Sequence, residues 1–519
     1  MKLKKFIIEN FRSYNEPVSI PISDFQVFVG KNDAGKSTIL EALDIFFNED
    51  QGSVKWDKGD LNVHSGSNLT RLTAVFTDLP ECVVIDSSVE TTLQREYLLN
   101  QDGELEIIKT FNKSKPTTYI NCLHPDHPDC SDLLSKKIKD LKALADKKHI
   151  KLSDKTKCSS IRRDIWNHFG DDQLLLTPKE VDVSKEDGKR IIEKIQSELP
   201  RYYLFRSDRK NSDSDEEVQD PLKQAVDEIL HEDNIQNQLD EIAQRVTEQL
   251  QEVSDRTLNK LKELDPTVAN SLKPKIPEAK SLKWKDAFKS ISISGDENIP
   301  INKRGSGVKR LILISFFRAE AERKAALNHS KSVIYAIEEP ETSQHNNAIR
   351  MLIDSFKMIV ETSKSQILLT SHNPFLLKEV GFDDIRIINP HDQTPRIRIP
   401  EPRTIAFPSI NEVIYLAFDE ASEEYHNELW GAIELYNWKE DFKKEQRVVK
   451  YVRKQKDGSK GRVQDLCLAE KIRHQYHHPD NMYNAFYTSD DLQESISNMR
   501  DFIRNKLETN PDILTSLTK

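Results

Sequence analysis

The chain has 519 residues, a formal net charge of -10 and 31% charged residues. This length allows two or three domains with a sizeable apolar core, and the acidic balance excludes a uniformly basic nucleic-acid coat. No apolar run reaches the length of a membrane span or of a signal peptide, and five cysteines are too few for a disulfide framework. We therefore expect a cytoplasmic protein.

A phosphate-binding loop is predicted near the N-terminus. Residues 1–30 read as two or three strands, and a helical apolar pattern begins at Ile39. Between them lies the pattern G-x-x-x-x-G-K-S, in the strand–loop–helix context that it needs. Its residues are Gly30, Lys31, Asn32, Asp33, Ala34, Gly35, Lys36, Ser37 and Thr38. Backbone N–H groups and the helix N-terminus would hold the phosphates, Lys36 would reach the outer ones, and the Ser37 hydroxyl would bind Mg²⁺. This pattern predicts binding of a nucleoside triphosphate.

The apolar pattern that indicates strands and helices is less regular between residues 80 and 285. We expect a loop at residues 122–130, because the spacing of its cysteines and histidines matches no common zinc module; a zinc site held by Cys122, His124, His127 and Cys130 is the alternative. A basic stretch from Lys136 to Arg163 is typical of a solvated helix face. From Leu222 to Leu264, apolar residues recur every three or four positions, which predicts either a short helical arm or an ordinary packed helix pair.

Strands alternate with helices in the second half of the chain, beginning with a strand at Phe288 to Ile293 and a helix at Leu311 to Glu322. This alternation predicts a largely parallel sheet. The strand Ser332 to Ile337 ends in Glu338 and Glu339, and the next strand ends near His372. Ligands bind at the carboxyl ends of such strands. We assign Glu338 to Mg²⁺, Glu339 to the attacking water, and His372 to the γ-phosphate or that water. A solvated strand end and a structural histidine are the alternatives.

A second anion site is predicted where Gly305, Ser306 and Gly307 open a helix. One chain already has a phosphate loop, so this second site would serve the nucleotide of another protomer. We therefore expect dimers, or multiples of dimers, that hold ATP between their subunits.

These motifs, in this order, resemble the ABC-class ATPases related to SMC and RecF proteins, including the overcoming-lysogenization-defect branch. The resemblance covers about residues 1–100 and 285–400. It implies the following assignments: Walker A at Gly30 to Thr38, the signature at Arg304 to Arg310, the Walker B acid Glu338, the catalytic glutamate Glu339, the D-loop at Glu341 to His345, the switch histidine His372, and in Asn10-Phe11-Arg12 an arginine that can reach the nucleotide. Three features depart from the family pattern: glutamate replaces the Walker B aspartate, the signature is weakened, and no clear Q-loop glutamine follows the first lobe.

The expected fold is α/β: an ABC-type ATPase head split by a helical insert and followed by a small all-α C-terminal domain. The expected domains are 1–100, an ATPase lobe with Walker A; 101–284, an insert with a short helical arm; 285–405, an ATPase lobe with the signature, Walker B and switch histidine; and 406–519, a helical domain.

Within the class, the chain is most similar to ATPases of bacterial anti-phage systems, the Septu type above all, with the PARIS and overcoming-lysogenization-defect families as neighbours. The last family carries a Toprim nuclease, whose acidic strand ends are not found after residue 400. The resemblance implies ATP and Mg²⁺ as cofactors, a separate nuclease partner, and DNA or RNA contact. Duplex repair or chromosome maintenance is an alternative.

The C-terminal hundred residues read as helical, with helices predicted at Asn411 to Phe418, Glu424 to Leu435, Gln464 to Tyr476 and Asp490 to Lys506. The basic stretch Lys443 to Arg462 contains Tyr451, and we expect a mobile surface loop there, with a grip on single-stranded nucleic acid as the alternative. Arg473, His474 and His478 resemble the R-x4-H motif of HEPN ribonucleases, which implies metal-free cleavage of RNA on this same chain. The alternative is a helix-end cap made by His477 and His478.

Overall fold

The structure is a computed structural model that describes residues 1–81, 83–86, 89–112, 115–206, 226, 229–230, 233–264, 332–342, 345–363, 365–391, 394–400 and 409–510. Its strands are β1 Lys2–Glu9, β2 Val18–Pro21, β3 Phe25–Val29, β4 Thr70–Thr77, β5 Val83–Asp86, β6 Val89–Thr91, β7 Leu105–Phe111, β8 Thr117–Pro125, β9 Leu176–Asp182, β10 Arg201–Phe205, β11 Val333–Glu338, β12 Ser365–Ser371, β13 Ile385–Asn389, β14 Arg396–Arg398, β15 Val448–Lys454 and β16 Lys460–Cys467. Its helices are α1 Lys36–Asn48, α2 Ile138–Lys147, α3 Cys158–Phe169, α4 Asp171–Leu174, α5 Glu186–Glu198, α6 Asp233–Leu264, α7 Asn346–Thr362, α8 Pro374–Leu377, α9 Ile410–Phe418, α10 Glu423–Leu435, α11 Lys439–Lys444, α12 Leu468–His477 and α13 Ser489–Thr509.

A mostly parallel sheet carries the predicted nucleotide motifs. Among the described residues its strand order is β10-β11-β12-β3-β13-β14, with only the edge strand β14 antiparallel. Every residue of β3, β11 and β12 is buried, as expected for strands covered on both faces. Glu338 pairs in register with Thr370, and Thr370 with Phe28. The carboxyl ends of these three strands therefore lie level, which confirms the predicted α/β arrangement.

An antiparallel sheet of order β2-β1-β4-β7-β8-β9 forms a second layer within the described residues. Helix α1 packs between the two sheets: the Phe46 ring lies 5.9 Å from that of Phe6, and the Phe47 ring stacks 5.6 Å from that of Tyr202. Strands β7 to β9 belong to this sheet, so residues 105–182 extend the first lobe rather than the insert. The sequence pattern missed this because antiparallel strands with one solvated face have shorter apolar runs than buried parallel ones.

The predicted insert is narrower than residues 101–284. A second compact unit comprises residues 208–320, and within it helix α6 spans Asp233–Leu264, which confirms the predicted helix. The strand predicted at Phe288 to Ile293 and the helix predicted at Leu311 to Glu322 lie outside the described residues. None of the described helices combines the length and apolarity needed to cross a bilayer.

The C-terminal domain is helical apart from one β-hairpin, β15–β16. Helices α10, α12 and α13 enclose a core that includes Trp430, Phe442 and Phe502. The predictions of a mobile loop at Lys443 to Arg462 and of a helix from Gln464 are wrong, since the two strands pair there and α12 begins only at Leu468. The local sequence accounts for this: valines favour strands, and Asp457-Gly458 favours a tight turn, where Gly458 has φ +84°.

Candidate nucleotide site

The phosphate loop joins the central strand β3 to helix α1. Both of its glycines are required by the geometry. A Cβ at Gly30 would lie 2.2 Å from the carbonyl oxygen of Ile388. Gly35 is the N-cap of α1 and has φ +95°, which is strained for any residue with a side chain. The loop therefore leads directly into the N-terminus of α1, where the first backbone N–H groups of the helix have no partner within the helix and can bind an anion.

Lys36 lies over this loop. Its Nζ donates to the carbonyl oxygens of Gly30 and Lys31, at 2.9 and 2.8 Å. Burial lowers the pKa of the Lys36 amine, and the negative charges of Glu339, Glu341 and Asp33 oppose that shift. Phosphate oxygens would take the place of the two carbonyls as acceptors for a cation that is already positioned.

Most of the other predicted residues of the phosphate loop are more exposed to solvent than Lys36. Asn32, Asp33 and Ser37 are exposed, Thr38 is half-buried, and Ala34 is buried against the core. Ser37 stands in the first turn of α1, where its hydroxyl is accessible from solvent. These positions suit contacts with a bound nucleotide and its metal ion.

The acidic motif and the histidine motif meet at the ends of the adjacent strands β11 and β12. Glu338 is the last residue of β11 and is buried, and Glu339 follows it with φ +42°. The Glu339 backbone N–H donates to the Thr370 carbonyl oxygen at 3.1 Å, and its carboxylate Oε1 lies 2.9 Å from Nδ1 of His372. This turn therefore places a carboxylate and an imidazole side by side, beyond the sheet edge.

Glu341, which was predicted only as part of the D-loop, also has a structural role. Its Oε1 accepts from the Ser371 hydroxyl at 2.7 Å and from the His372 backbone N–H at 3.2 Å. Burial raises the pKa of this carboxyl group, and the hydrogen bonds from Ser371 and His372 oppose that shift. Glu341 thereby fixes the segment after β11 against the segment after β12, which holds Glu339 and His372 together.

A chain of charged side chains connects the predicted N-terminal arginine to the Walker B acid. Arg12 pairs with Asp60 at 2.8 Å and also with Glu41 of helix α1. On its other oxygen, Glu41 lies 2.7 Å from Nη2 of Arg206, whose Nε is 3.9 Å from Glu338. Sequence reasoning missed Glu41 and Arg206. An acid within the apolar helix pattern and a basic residue directly after the strand Arg201–Phe205 were the available signals.

Residues 1–377 match the AAA ATPase domain family, and this match covers more than half of the chain. The chain belongs to that family. It is also 24% identical over 404 residues to the endonuclease GajA of Bacillus cereus strain VD045, a match that covers 75% of this chain and 58% of GajA. The chain thus spans less than two thirds of the length of this relative. Family membership confirms the prediction of an ATPase.

Similarity to solved structures is distant. An SMC head bound to the C-winged helix domain of ScpA matches over 77% of this chain and 98% of its own, with 13% identity and a TM-score of 0.37. The SMC head domain from Thermotoga maritima matches over 77% and 100%, with 13% identity and a TM-score of 0.30. A Pyrococcus furiosus SMC head with an extended coiled coil, bound to the C-terminal domain of ScpA, matches over 76% and 95%, with 11% identity and a TM-score of 0.38.

The signature glycines Gly305 and Gly307 and the intervening Ser306 lie outside the described residues, as do two residues of the predicted D-loop. The C-terminal domain nevertheless reaches the phosphate loop of the AAA ATPase. Lys31 Nζ lies 3.0 Å from an oxygen of Asp419, whose other oxygen accepts from Gln493 Nε2 at 3.1 Å. This contact links the nucleotide loop to helices α9 and α13.

The residues of the predicted ribonuclease motif lie on different sides of helix α12. Arg473 Nη1 pairs with Glu434 at 2.9 Å, toward helix α10. The His474 ring stacks instead on Tyr451 of the hairpin, and the His478 ring stacks on His474, with centroids 5.5 and 6.5 Å apart. Arg473 is thus engaged by a carboxylate, while the two histidines continue an aromatic stack.

The alternative of a zinc site at residues 122–130 is not borne out, because the described part of the chain holds no group of three or more His, Cys, Asp or Glu side chains arranged for a metal. Cys122 and His124 belong to strand β8, so the expectation of a loop is wrong for this half. His124 Nδ1 bonds the Tyr97 carbonyl oxygen at 3.0 Å, and burial lowers the pKa of its imidazole to about 4. His127 packs against the Phe169 ring.

Proposed function

We propose that this AAA ATPase binds and hydrolyses ATP as the sensor of an anti-phage defence system and controls a partner nuclease. One observation carries the proposal: the Glu339 carboxylate lies 2.9 Å from the His372 imidazole and close enough to Lys36 for its charge to act on that amine. A base, its orienting partner and a phosphate-binding cation thus occupy one sheet edge.

The residues of this chain divide the work of hydrolysis. Lys36 and the N–H groups of the loop hold the phosphates. Ser37 and Glu338 offer hydroxyl and carboxylate oxygens, the donors that suit Mg²⁺, and they would hold this ion. When bound, Mg²⁺ neutralises phosphate charge. Glu339 accepts the proton of the attacking water, and His372 keeps the Glu339 carboxylate oriented.

Control of a partner is supported by the link between Lys31 and Asp419, because a nucleotide that moves the phosphate loop changes a contact of the C-terminal domain. The nuclease part of the proposal comes from the relative GajA, which is an endonuclease. The narrower assignment to a Septu-type system remains part of the proposal, as does the sandwich dimer in which Gly305, Ser306 and Gly307 contact the ATP of the partner protomer.

Substitution of the proposed base tests this function. Glu339→Gln should bind ATP normally, hydrolyse it at least about 100-fold more slowly, and accumulate as an ATP-bound dimer. Hydrolysis is measured by phosphate release and assembly by light scattering after size-exclusion chromatography. The matched control is Glu361→Gln, an exposed carboxylate on α7, which should leave the rate unchanged. Hydrolysis at the wild-type rate in Glu339→Gln would refute the assignment.

The partner nuclease is tested by incubating the purified chain with labelled tRNA and duplex DNA, with and without ATP. Intact nucleic acid in every lane is expected if a separate subunit cuts. RNA fragments that disappear in His478→Ala would instead assign a ribonuclease to this chain. ATP-dependent processing of duplex ends without any nuclease would favour a role in repair or chromosome maintenance.

A further inference from the structure

The hairpin β15–β16, which we call the basic hairpin (Val448–Cys467), concentrates positive charge in an acidic protein. It holds six cationic residues and two acidic residues, Asp457 and Asp465, whereas the whole chain has a net charge of -10. Five of the six cations are exposed and form no ion pair with any residue that the structure describes: Lys450, Arg453, Lys456, Lys460 and Arg462. Such uncompensated charge favours a polyanionic partner.

The cations just before the hairpin behave differently. Lys443 pairs with Glu470 at 2.7 Å, Lys444 with Asp441 at 3.4 Å, and Arg447 with Asp491 at 3.1 Å. Neighbouring basic residues in the same domain are thus neutralised by carboxylates. The free charge of the basic hairpin is therefore a local property and not a consequence of a basic domain.

The segment after α12 holds the hairpin in place. The Asn484 side chain bonds the backbone of Val452 twice, accepting from its N–H at 2.7 Å and donating to its carbonyl oxygen at 2.8 Å. Asn481 Nδ2 donates to the Tyr451 hydroxyl at 2.9 Å, and the Tyr483 hydroxyl donates to the Gly458 carbonyl oxygen at 2.8 Å. The cations project from an ordered support, so less entropy is lost when they bind a ligand.

A stack of rings runs from the hairpin to the surface, and the charge of Arg453 acts on its central ring, His474. Tyr451 is buried, the His474 ring lies over it, and the His478 ring lies over His474 and is exposed. The planes within each pair are inclined by 22°. Tyr483, which is 42% exposed, provides a second exposed ring at the tip of the hairpin. Burial and the charge of Arg453 both lower the pKa of His474, which favours an uncharged ring at the centre of the stack.

We propose that the basic hairpin and the exposed rings of His478 and Tyr483 bind single-stranded nucleic acid. The five free cations contact successive phosphates, and the two rings stack on unpaired bases. An acidic polypeptide would use the cations but not the rings, and a duplex does not expose the faces of its bases. This inference goes beyond the ATPase function and does not depend on it, because none of these residues belongs to the nucleotide site.

The test uses the full chain and a fluorescein-labelled oligothymidylate of about 20 nucleotides, longer than one typical site. This DNA probe has no 2′-hydroxyl, so binding is measured by anisotropy without cleavage through that group. If all five cations contact phosphate, the logarithm of affinity falls with the logarithm of salt with a slope of about -3.5. Affinity should therefore drop about 100-fold between about 50 and 200 mM salt.

Charge reversal and ring removal separate the two parts of the surface. Arg453→Glu with Arg462→Glu should weaken binding at least about 10-fold and flatten the salt slope, and His478→Ala should weaken it about 5-fold or more through lost stacking. The matched control, Lys444→Glu with Arg504→Glu, makes the same charge change at exposed, ion-paired positions of this domain and should bind like wild type. Circular dichroism verifies that each variant folds. If the glutamate variant is misfolded, Arg453→Gln with Arg462→Gln is used in its place.

Three results would overturn the proposal. The first is equal affinity of wild type and the hairpin variants. The second is a duplex of the same length bound as tightly as the single strand. The third is displacement of the oligonucleotide by polyglutamate at equal charge, which would identify an acidic polypeptide as the partner. The Lys36→Ala variant should keep wild-type binding of the oligonucleotide, so failure of this inference and failure of the ATPase proposal are distinguishable.

Discussion

Arg206 Nη2 lies 2.7 Å from a carboxylate oxygen of Glu41, and the same guanidinium lies 3.9 Å from the carboxylate of Glu338. Arg206 follows an edge strand of the parallel sheet, whereas Glu41 belongs to the helix of the phosphate loop. A single cation therefore compensates two buried acids that come from different elements. Because one of these acids is the proposed Mg²⁺ ligand, nucleotide binding and the packing of this edge strand share a charged group.

Loss of Arg206 should cost stability. Arg206→Ala leaves Glu41 with Arg12 as its remaining partner, and the free energy of unfolding should fall by about 1–3 kcal/mol in urea titrations. The control is Arg350→Ala, which removes a mostly exposed arginine paired with Glu379 at 2.8 Å and should cost less than about 1 kcal/mol. In a Glu41→Gln background, Arg206→Ala should cost less than in wild type. Additive effects of the two substitutions would contradict the proposed contact.

Truncation of two lysines of the phosphate loop should affect ATP affinity to different extents. Lys36→Ala removes the buried cation that bridges the loop, and ATP affinity should fall about 10- to 100-fold, the worth of a hydrogen bond to a charged group. Lys31→Ala removes an exposed lysine that pairs with Asp419, and ATP affinity should stay near the wild-type value. Calorimetric titration with a non-hydrolysable ATP analogue measures both. Equal losses would mean that Lys36 has no special part in the site.

Substitution of two glycines by alanine tests whether the backbone at Gly30 leaves room for a side chain. Gly30→Ala would place a methyl carbon 2.2 Å from the Ile388 carbonyl oxygen, so the variant should lose both stability and ATP binding. Gly431 lies in helix α10, and apart from its chain neighbours and the backbone of its own helix no atom comes within 4 Å of an added Cβ there. Gly431→Ala should raise stability by up to about 1 kcal/mol. Thermal unfolding of the two variants gives the signs, and a neutral Gly30→Ala would disprove the close approach.

The parallel sheet and the motifs of the ATPase head could be predicted because each depends on a short stretch of sequence. The loop Gly30–Thr38 and the strand ends at Glu338 and His372 each have a short sequence signature, and parallel strands read as continuous apolar runs. The register that brings Glu339 beside His372 followed from one rule, that carboxyl ends of parallel strands share an edge.

What the sequence could not predict depends on distant pairings. Arg206 and Glu41 are 165 positions apart, and nothing local marks them as partners. Strand β9 joins its sheet after a helical stretch, so its membership depends on cross-strand packing rather than on pattern. The basic hairpin was a different error: its charge suggested a loop, although the valines and the Asp457-Gly458 turn favoured strands.

The buried His426 should make the C-terminal domain sensitive to acid. Its Nε2 lies 3.0 Å from the Ser495 hydroxyl, and burial lowers the pKa of the imidazole from 6.5 to about 4. Between these values the unfolded chain binds the proton and the folded chain does not, so stability is complete near pH 7 and falls as the pH drops. At pH 5 the loss from His426 should be about 2 kcal/mol. The stability difference between pH 7 and pH 5, measured by urea unfolding, should therefore be smaller by about 2 kcal/mol in His426→Gln than in wild type. His477→Gln, at an exposed position, should show the wild-type difference. An unchanged difference in His426→Gln would mean that this ring can take up a proton without unfolding the domain.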